Sequence, residues 1–451
     1  MSSRRRLIAG FWATALGPFV TLLVQILNVP LFLRYWGPRM YGEWLILSAI
    51  PMYLSISDMG FGSVAGNDMA MRVARGDRAG AVETFQSTSA LVLFISVLVG
   101  LLAAAVIFLM DPQQMLGIRQ ISLYEARIVL SILCCYSLGV LQASVLLSGF
   151  RSDGLYPLGA LSTNIIRLTE NALAVIVLLL HYGPVAVAAA MAGTRIAGTA
   201  VLFLVLHRKL SWLEAGIKKA TLSRIKELTR PALAFMAFPV GNALSIQGIT
   251  ILIGTTLGPL AVAVFTPMRT MSRLPYQVID SLKNAVWPEL STSFGMQDFA
   301  LARKLHRYSC KAAFWFALMA VIGLAVVGPF VFRIWTGGRV HMDLPCYLVL
   351  LAVVVASSFW NASSAVSVAA NRHEWLALQY LIGTAGSLVL GYVLIHRFGL
   401  TGVAMALLAS DLWMGMFVVP ASNSLLEDNN ASFLRAMLDF RQLASMVKGQ
   451  G

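Results

Sequence analysis

Charged residues are scarce in this sequence, and their scarcity excludes a soluble globular domain. Only 12% of the 451 residues are charged and 58% are hydrophobic, whereas a soluble domain carries about 25% charged residues. Long apolar runs recur instead, and each reaches or approaches the roughly 20 residues that cross a bilayer core. They include 7–33, 90–110, 158–180, 185–206 and 232–254. The composition therefore predicts an all-α polytopic membrane protein.

Cysteine clusters and the common catalytic motifs are also missing. The four cysteines are Cys134, Cys135, Cys310 and Cys346. Their spacing does not suit a metal site, and we expect no structural disulfide among them. The sequence has no Walker A, HExxH or GxSxG motif, so it shows no catalytic site of the kind found in soluble enzymes. These absences predict a protein that is not an enzyme, holds no metal and needs no cofactor.

The apolar runs divide the chain into about twelve membrane spans. We place them at 8–33, 41–66, 87–109, 126–148, 158–180, 184–206, 232–254, 260–288, 312–334, 346–369, 376–396 and 400–421. The first run is about 27 residues long, too long for the apolar region of a signal peptide, and is read as an uncleaved helix. The longest connection, 207–230, separates two sets of six spans. We therefore expect an N-terminal lobe (1–206), a linker (207–230), a C-terminal lobe (231–421) and a tail (422–451).

The basic residues predict the orientation of these spans. The face that carries both termini and the linker holds about 22 lysines and arginines, and the opposite face holds about 7. By the positive-inside rule, both termini and the linker are cytoplasmic. The net charge of +14 then reflects topology and contact with anionic membrane lipids. The basic residues are dispersed over short loops without a binding module, so we expect no nucleic-acid partner.

The two halves repeat at an offset of about 221 residues, falling to about 216 near the end of each half. Trp36-Gly37-Pro38 matches Leu257-Gly258-Pro259, and Gly149-Phe150-Arg151 matches Ala370-Asn371-Arg372. Tyr182-Gly183-Pro184 matches Phe398-Gly399-Leu400, and Asp58 matches Asp280 with an offset one residue longer. Because six spans separate equivalent positions, the halves have the same orientation in the membrane. Transporters built from such repeats bind substrate between the lobes.

Span eight carries a row of charges that its apolar neighbours lack. At 100° per residue its polar side chains fall on one helix face; they are Arg269, Arg273, Tyr276, Gln277, Asp280 and Lys283. A charge at the bilayer centre costs about 2.5–3.5 kcal/mol even on a lenient scale. Arg269 and Arg273 lie near the midplane without an acidic residue three or four positions away, so we favour a watery cavity over a partner elsewhere.

Asp280 and Lys283 lie nearer the predicted cytoplasmic end of span eight, where they can pair with each other or extend to the interface. Two prolines in the same span, Pro267 and Pro275, remove backbone donors and predict a kink.

Other spans carry isolated charges. In span five Arg167 and Glu170 can pair at i, i+3. Span six carries Arg195 and span twelve carries Asp411, and the repeat makes these two positions equivalent. One alternative is a salt bridge between Arg195 and Asp411 in one conformation, which would leave Asp411 free to take a proton when the lobes part. The other is that each charge is satisfied inside its own lobe.

Four segments form a recognisable set: LRYWGPRMYGEWLILSAIPMYLSISDMGFGSVAGNDMA at 33–70, RVARGDRAGAVE at 72–83, LSGFRSDGLYPLGAL at 147–161 and VWPELS at 286–291. With them the chain resembles the Wzx-type polysaccharide flippases of the multidrug/oligosaccharidyl-lipid/polysaccharide exporter superfamily. The resemblance extends over essentially all twelve spans. It implies a V-shaped, two-lobed bundle with a central cavity that is often cationic, and transport of undecaprenyl-diphosphate-linked oligosaccharides to the periplasmic leaflet.

The resemblance assigns roles to the buried polar residues. Arg269 and Arg273 fit contacts to a diphosphate or an acidic sugar. The full set of substrate-binding candidates is Arg269, Arg273, Arg195, Tyr276 and Gln277, and the ion-coupling candidates are Asp411, Asp58, Asp280 and Glu170. The implied location is the bacterial inner membrane. The implied partners are the lipid-linked oligosaccharide, membrane lipids, and potentially a glycan polymerase and glycosyltransferases of lipopolysaccharide or exopolysaccharide synthesis.

Three functions from different classes follow from these observations. The first is a flippase of polyprenyl-diphosphate-linked oligosaccharide. The second is an ion-coupled drug or metabolite exporter of the same superfamily, although cationic drugs would favour an acidic cavity. The third is a membrane glycan polymerase or ligase; such enzymes use a large periplasmic loop, and the longest outward loop here, 111–125, has about 15 residues. A major facilitator fold is disfavoured because the sequence after Asp77-Arg78 lacks the closing basic pair of that family's loop.

Overall fold

A computed structural model describes the backbone of residues 3–54, 60–370 and 373–438. Within these residues the chain forms fifteen α-helices, one π-helical turn and no strand. The α-helices are α1 Ser3–Leu54, α2 Phe61–Ala74, α3 Arg78–Leu109, α4 Pro112–Leu116, α5 Leu123–Ser152, α6 Tyr156–Leu179, α7 Pro184–Lys209, α8 Leu222–Ala243, α9 Ile249–Leu257, α10 Pro259–Ser272, α11 Leu274–Gly295, α12 Phe299–Trp335, α13 Leu344–Ala369, α14 His373–Leu425 and α15 Asn430–Leu438. The π-helical turn, Leu244–Gly248, joins α8 to α9. The expected all-α membrane fold is confirmed.

Eight helices of the described chain are long and apolar enough to cross a membrane. The difference from twelve predicted spans arises because spans and helices do not coincide. Helix α14 contains spans eleven and twelve and is counted once, whereas α1, which contains span one and most of span two, is not among the eight. Span eight is divided between α10, of 14 residues, and α11, of 22 residues, and neither is among the eight.

Glycines mark the points where two spans share one helix. Helix α1 is interrupted at Gly37 (φ 75°, ψ 170°) and α14 at Gly399 (φ 55°, ψ −134°). Gly258, the predicted equivalent of Gly37, has nearly the same conformation (φ 88°, ψ 173°). A side chain disfavours this positive-φ backbone, which explains glycine at both positions. Gly183 and Gly399 are less alike, because Gly183 has an ordinary negative φ of −80°.

The repeat also extends to the starts of α3 and α12. Asp77 caps α3 (φ −84°, ψ 72°), and Asp298, at the same offset, caps α12 (φ −86°, ψ 76°). Each aspartate follows a residue with positive φ, which is Gly76 in the first case and Gln297 in the second. Matching caps and matching left-handed residues support the internal repeat independently of the sequence matches that predicted it.

Helices α5 and α13 are the equivalent centres of two compact units, 1–263 and 264–451. Ser122 caps α5 and Asp343 caps α13, again at the same offset. In the first unit α5 packs against α1, α2, α3 and α7, and in the second α13 packs against α11, α12 and α14. Span seven, α8 with α9, belongs to the first unit by this division, whereas the predicted lobes place it in the second half. The predicted lobe boundaries stay a prediction.

The loop RVARGDRAGAVE has a structural explanation. Arg72 donates to Asp68 at 2.9 Å and to Asp77 at 2.8 Å, and Asp77 accepts the Gly80 N–H at 2.8 Å. The Gly80 bond and the Arg72 guanidinium lower the pKa of Asp77. A Cβ at Gly80 would meet the Asp77 carboxylate and the Arg72 guanidinium and would displace them, so glycine leaves this ion pair undisturbed. The motif therefore fixes the turn between α2 and α3.

A buried carboxylate that the sequence analysis missed holds the loop before α5. Glu43 is only 2% exposed, and its oxygens accept the backbone N–H groups of Arg119, Gln120 and Ile121 at 2.7–3.0 Å. These hydrogen bonds satisfy a buried charge and three backbone donors together, which an apolar side chain could not do.

The short helix α15 packs on α12. Phe433 is fully buried, and its ring lies 5.0 Å from the His306 ring. Arg307 donates to Asp428, in the turn before α15, and to Ser432 at 2.8 Å. Burial raises the pKa of Asp428, but the hydrogen bonds from Arg307 and Ser432 outweigh this effect and hold it below its ordinary value. The segment expected as a tail thus begins inside α14 and continues as a docked helix.

Candidate functional site

The polar face of span eight lies where its helix is broken. Helix α10 ends at Ser272, α11 begins at Leu274, and Arg273 lies between them. Pro275 has no N–H to donate to the carbonyl of Met271, so the regular hydrogen-bond ladder cannot continue through this point. The break that the prolines predicted is therefore present, and it places Arg273 at the junction.

The two arginines converge with residues of α14. Arg269 is 9% exposed and interacts electrostatically with Arg273, Asp411 and the hydroxyl groups of Tyr276 and Tyr380. The Arg273 guanidinium carbon lies 5.5 Å from the centroid of the Tyr276 ring, within cation–π range. These five residues form what we call the arginine cluster. It contains two cations and one carboxylate and lies wholly within the second unit. Gln277, one residue further along α11, is partly buried.

Asp411 has a polar partner on α13 and lines an apolar cavity. Its carboxylate accepts the Trp360 indole N–H at 2.7 Å, and the Trp360 and Tyr380 rings lie 5.8 Å apart. The cavity has a volume of about 780 Å³ and is lined by residues of α12, α13, α14 and α15. Asp411 is the one charged side chain among the described residues that line it. Asp411 therefore interacts with Trp360 through a hydrogen bond and with Arg269 and Arg273 through their charge.

Asp280 and Lys283 are joined through a third side chain. The Asn361 amide donates to Asp280 at 2.7 Å, and its carbonyl oxygen accepts from Lys283 at 3.2 Å. Asn361 is 5% exposed on α13, which packs against α11. The pairing expected for Asp280 and Lys283 is thus mediated by an amide that can act as donor and acceptor at once.

In the first unit, Glu170 and Arg195 form a buried ion pair. The Arg195 Nε atom lies 2.6 Å from Glu170 Oε1, and Nη2 donates to Oε2 at 2.8 Å. Nη2 also lies 3.2 Å from the hydroxyl of Tyr136. Both Glu170 oxygens contact Arg195, and Arg167, the partner expected from the sequence, also interacts electrostatically with this carboxylate. The side chains are only 1% and 6% exposed, so each needs the other.

Arg195 and Asp411 occupy equivalent places in their units. A Cβ at Gly139 on α5 would lie 3.1 Å from Arg195, and the equivalent of Gly139 on α13 is Trp360, which bonds Asp411. In this structure each charge is satisfied inside its own unit, as the second alternative expected. A role of Arg195 in substrate binding, and of Glu170 and Asp280 in ion coupling, stays a prediction. Asp58 lies outside the described residues.

Three residues at these sites were not predicted. Tyr136 and Trp360 each contact a charge that the sequence analysis had singled out, and Tyr380 interacts electrostatically with Arg269. Asn361 was not predicted either. The available signal was the run SSFWNASSAVS at 357–367, an unusually polar stretch within an apolar span. Polar side chains in a membrane span need partners, and this run supplies them.

The fold is shared with solved transporters of the MOP superfamily. An inward-facing multidrug resistance MATE family transporter matches with a TM-score of 0.75 and 15% identity, over 92% of this chain and 96% of that chain. The lipid II flippase MurJ, in an inward closed conformation, matches with a TM-score of 0.69 and 13% identity, over 97% and 90%. A MOP superfamily transporter from Pyrococcus furiosus matches with a TM-score of 0.63 and 16% identity, over 94% and 96%.

No protein-family model and no curated protein matches the sequence. At such low identities, the structural likeness shows the fold alone. The chain is a multi-pass membrane protein with the fold of these transporters.

A charge exchange tests the partner of Arg195. Arg195→Glu and Glu170→Arg should each place like charges together in a buried site, at a cost of about 3–5 kcal/mol. Each single variant should lose most of its folded protein, and the double variant should recover it. The measurement is the monodisperse fraction of a fluorescently tagged protein in size-exclusion chromatography. The assignment of Glu170 as the partner of Arg195 would be wrong if the Glu170 exchange failed to restore folded protein and the double variant Arg195→Asp with Asp411→Arg restored it.

A second prediction concerns Asn361. Asn361→Ala removes the bridge between Asp280 and Lys283 and should lower the unfolding free energy by about 1–3 kcal/mol. Thermal unfolding in detergent measures this loss. Ser364→Ala is the matched control: Ser364 is equally buried on α13, but its hydroxyl bonds only the backbone carbonyl of Asn361 in the same helix. Equal effects of the two substitutions would mean that the bridge contributes nothing.

Proposed function

We propose that this protein is a flippase that moves a polyprenyl-diphosphate-linked oligosaccharide across the bacterial inner membrane by alternating access. The observation that carries the proposal is the placement of Arg269 and Arg273 at the broken span eight. Two cations near the middle of a membrane span are costly unless they serve a polar ligand. The fold is that of transporters, among which a lipid II flippase is one structural neighbour.

The two arginines suit a diphosphate. A guanidinium presents its donors in a planar fork that can make paired hydrogen bonds to phosphate oxygens. Arg269 is nearly buried and Arg273 is partly exposed at the helix junction, so the proposed ligand approaches from the side of Arg273. Tyr276 and Gln277 follow on the same stretch and offer hydrogen-bond donors and acceptors for the first sugar.

Asp411 is the proposed coupling residue of this site. It interacts electrostatically with Arg269 in the structure. A bound diphosphate competes with Asp411 for the two guanidinium groups, so binding of substrate and binding of a proton or cation at Asp411 are linked. Glu170, held by Arg195, and Asp280, held by Asn361, remain secondary candidates, together with Asp58.

The proposed setting follows the basic-residue asymmetry, with both termini in the cytoplasm. The substrate is then loaded from the cytoplasmic leaflet, where glycosyltransferases assemble lipid-linked sugars, and delivered to a polymerase on the other face. Lipopolysaccharide or exopolysaccharide synthesis is the corresponding pathway class.

The alternative is an ion-coupled drug or metabolite exporter. The structural likeness to a multidrug resistance transporter favours it, and so does Asp411 beside an apolar cavity, where an amphipathic cation could bind. The two arginines weigh against it because they repel such a cation. No observation favours the glycan polymerase or ligase.

The proposal is tested in cells of the source organism that lack this protein. The wild-type protein should restore surface glycan, and Arg269→Ala with Arg273→Ala should reduce export at least tenfold while lipid-linked oligosaccharide accumulates in the membrane. Arg273→Lys should retain part of the activity, since it keeps the charge but loses the planar fork.

Arg333→Ala is the matched control for this experiment. Arg333 lies exposed at the end of α12, away from the arginine cluster, and its loss should leave export unchanged at equal protein level. Full export by the double alanine variant would overturn the proposal. Unchanged glycan together with increased drug sensitivity in the deletion strain would favour the exporter.

A further inference from the structure

A second cationic site lies in the second unit, along the first turns of α12. A cavity of about 410 Å³ is lined by Ala300, Arg303, Lys304, Arg307, Tyr308, Lys311 and Ala436. The first six residues follow the spacing i, i+3, i+4, i+7, i+8 and i+11, so they form one face of α12. Ala436 of α15 lies on the opposite side. We call this site the α12–α15 pocket.

Two arginines of the pocket are held in place by hydrogen bonds and one salt bridge. Arg303 donates to the carbonyl oxygens of Phe299 and Glu427 at 3.2 Å. Arg307 is paired with Asp428. Lys311 is only 2% exposed although it lines the cavity. Asp428 forms a salt bridge with Arg307, and Arg303 and Lys304 add two more cations on the same face of α12.

The length of α12 places this pocket at a membrane surface. The helix has 37 residues and is therefore about 55 Å long, whereas a bilayer core is about 30 Å thick. Counting about 20 residues back from Trp335 places the other boundary near Trp315. A tryptophan is common at that level. Lys311 lies one turn beyond Trp315, at the depth of the lipid phosphates, on the face that the basic residues predict to be cytoplasmic.

We propose that the α12–α15 pocket binds the phosphate of an anionic phospholipid in the adjoining leaflet. Lysine and arginine side chains and the Tyr308 hydroxyl can all donate to phosphate oxygens, and the volume suits one headgroup rather than a bilayer patch. The site is separate from the arginine cluster and does not depend on the proposed function. A bound lipid would bridge α12 and α15 and so stabilise the docked C-terminal helix.

Native mass spectrometry of the delipidated full-length protein tests the site, with dioleoylphosphatidylglycerol as the probe. Lys304 is exposed and can be changed without disturbing the core. Lys304→Gln should weaken binding about five-fold, as expected for one cation at an anionic surface. Lys226→Gln removes an equally exposed lysine from α8 in the first unit and should leave binding unchanged.

A second pair of variants changes the pocket from the side of α15. Ala436→Glu places a carboxylate in the pocket and should weaken lipid binding at least ten-fold, whereas Ala436→Gln, of the same size, should weaken it far less. Dioleoylphosphatidylcholine and inorganic phosphate serve as competing probes. Equal binding of the zwitterionic lipid, or displacement of the lipid by millimolar phosphate, would overturn a lipid site. Equal effects of the Glu and Gln variants would overturn the role of charge.

Discussion

The need to satisfy charge inside an apolar environment determines where the polar residues of this protein lie. A charge in a membrane span costs several kcal/mol unless a partner or water meets it. The structure meets most of these charges locally: Glu170 pairs with Arg195, and Asn361 joins Asp280 to Lys283. The arginine cluster is the exception, because its two cations share one carboxylate, Asp411, that is itself bonded to Trp360. The arginine cluster differs from these locally balanced pairs because it has an excess of cationic charge and lies at a broken helix.

The two units share backbone features through the internal repeat but carry different charged residues at equivalent positions. Gly37 and Gly258 share a backbone conformation, and so do the helix caps Asp77 and Asp298. At the equivalent position near the centre of each unit, the first places Arg195 and the second places Asp411. The first unit supplies Glu170 as the counter-charge of Arg195, whereas the second surrounds Asp411 with the Trp360 indole and the guanidinium groups of Arg269 and Arg273. In the proposed function, this difference is what lets an anionic substrate compete with Asp411 for the two arginines.

The sequence was sufficient for the features that depend on composition and backbone chemistry. Hydropathy predicted the all-helical membrane fold, the prolines predicted the break in span eight, and matched glycines predicted the repeat. Side-chain partners were harder, because a partner can lie on any helix that packs nearby. The sequence suggested Arg167 as the partner of Glu170 and Asp411 as a partner of Arg195. The structure pairs Glu170 with Arg195. Glu43 was overlooked since its partners are backbone N–H groups, which leave no pattern in a sequence.

The central claim is that the arginine cluster holds a lipid-linked diphosphate. Mass spectrometry of the lipids that copurify with the protein from its native membrane tests this claim most directly. The wild-type protein and Arg333→Ala should retain a polyprenyl-diphosphate glycolipid, and the variant with both Arg269→Ala and Arg273→Ala should lose it. Equal retention of that lipid by the double variant, at equal yield of folded protein, would contradict the account.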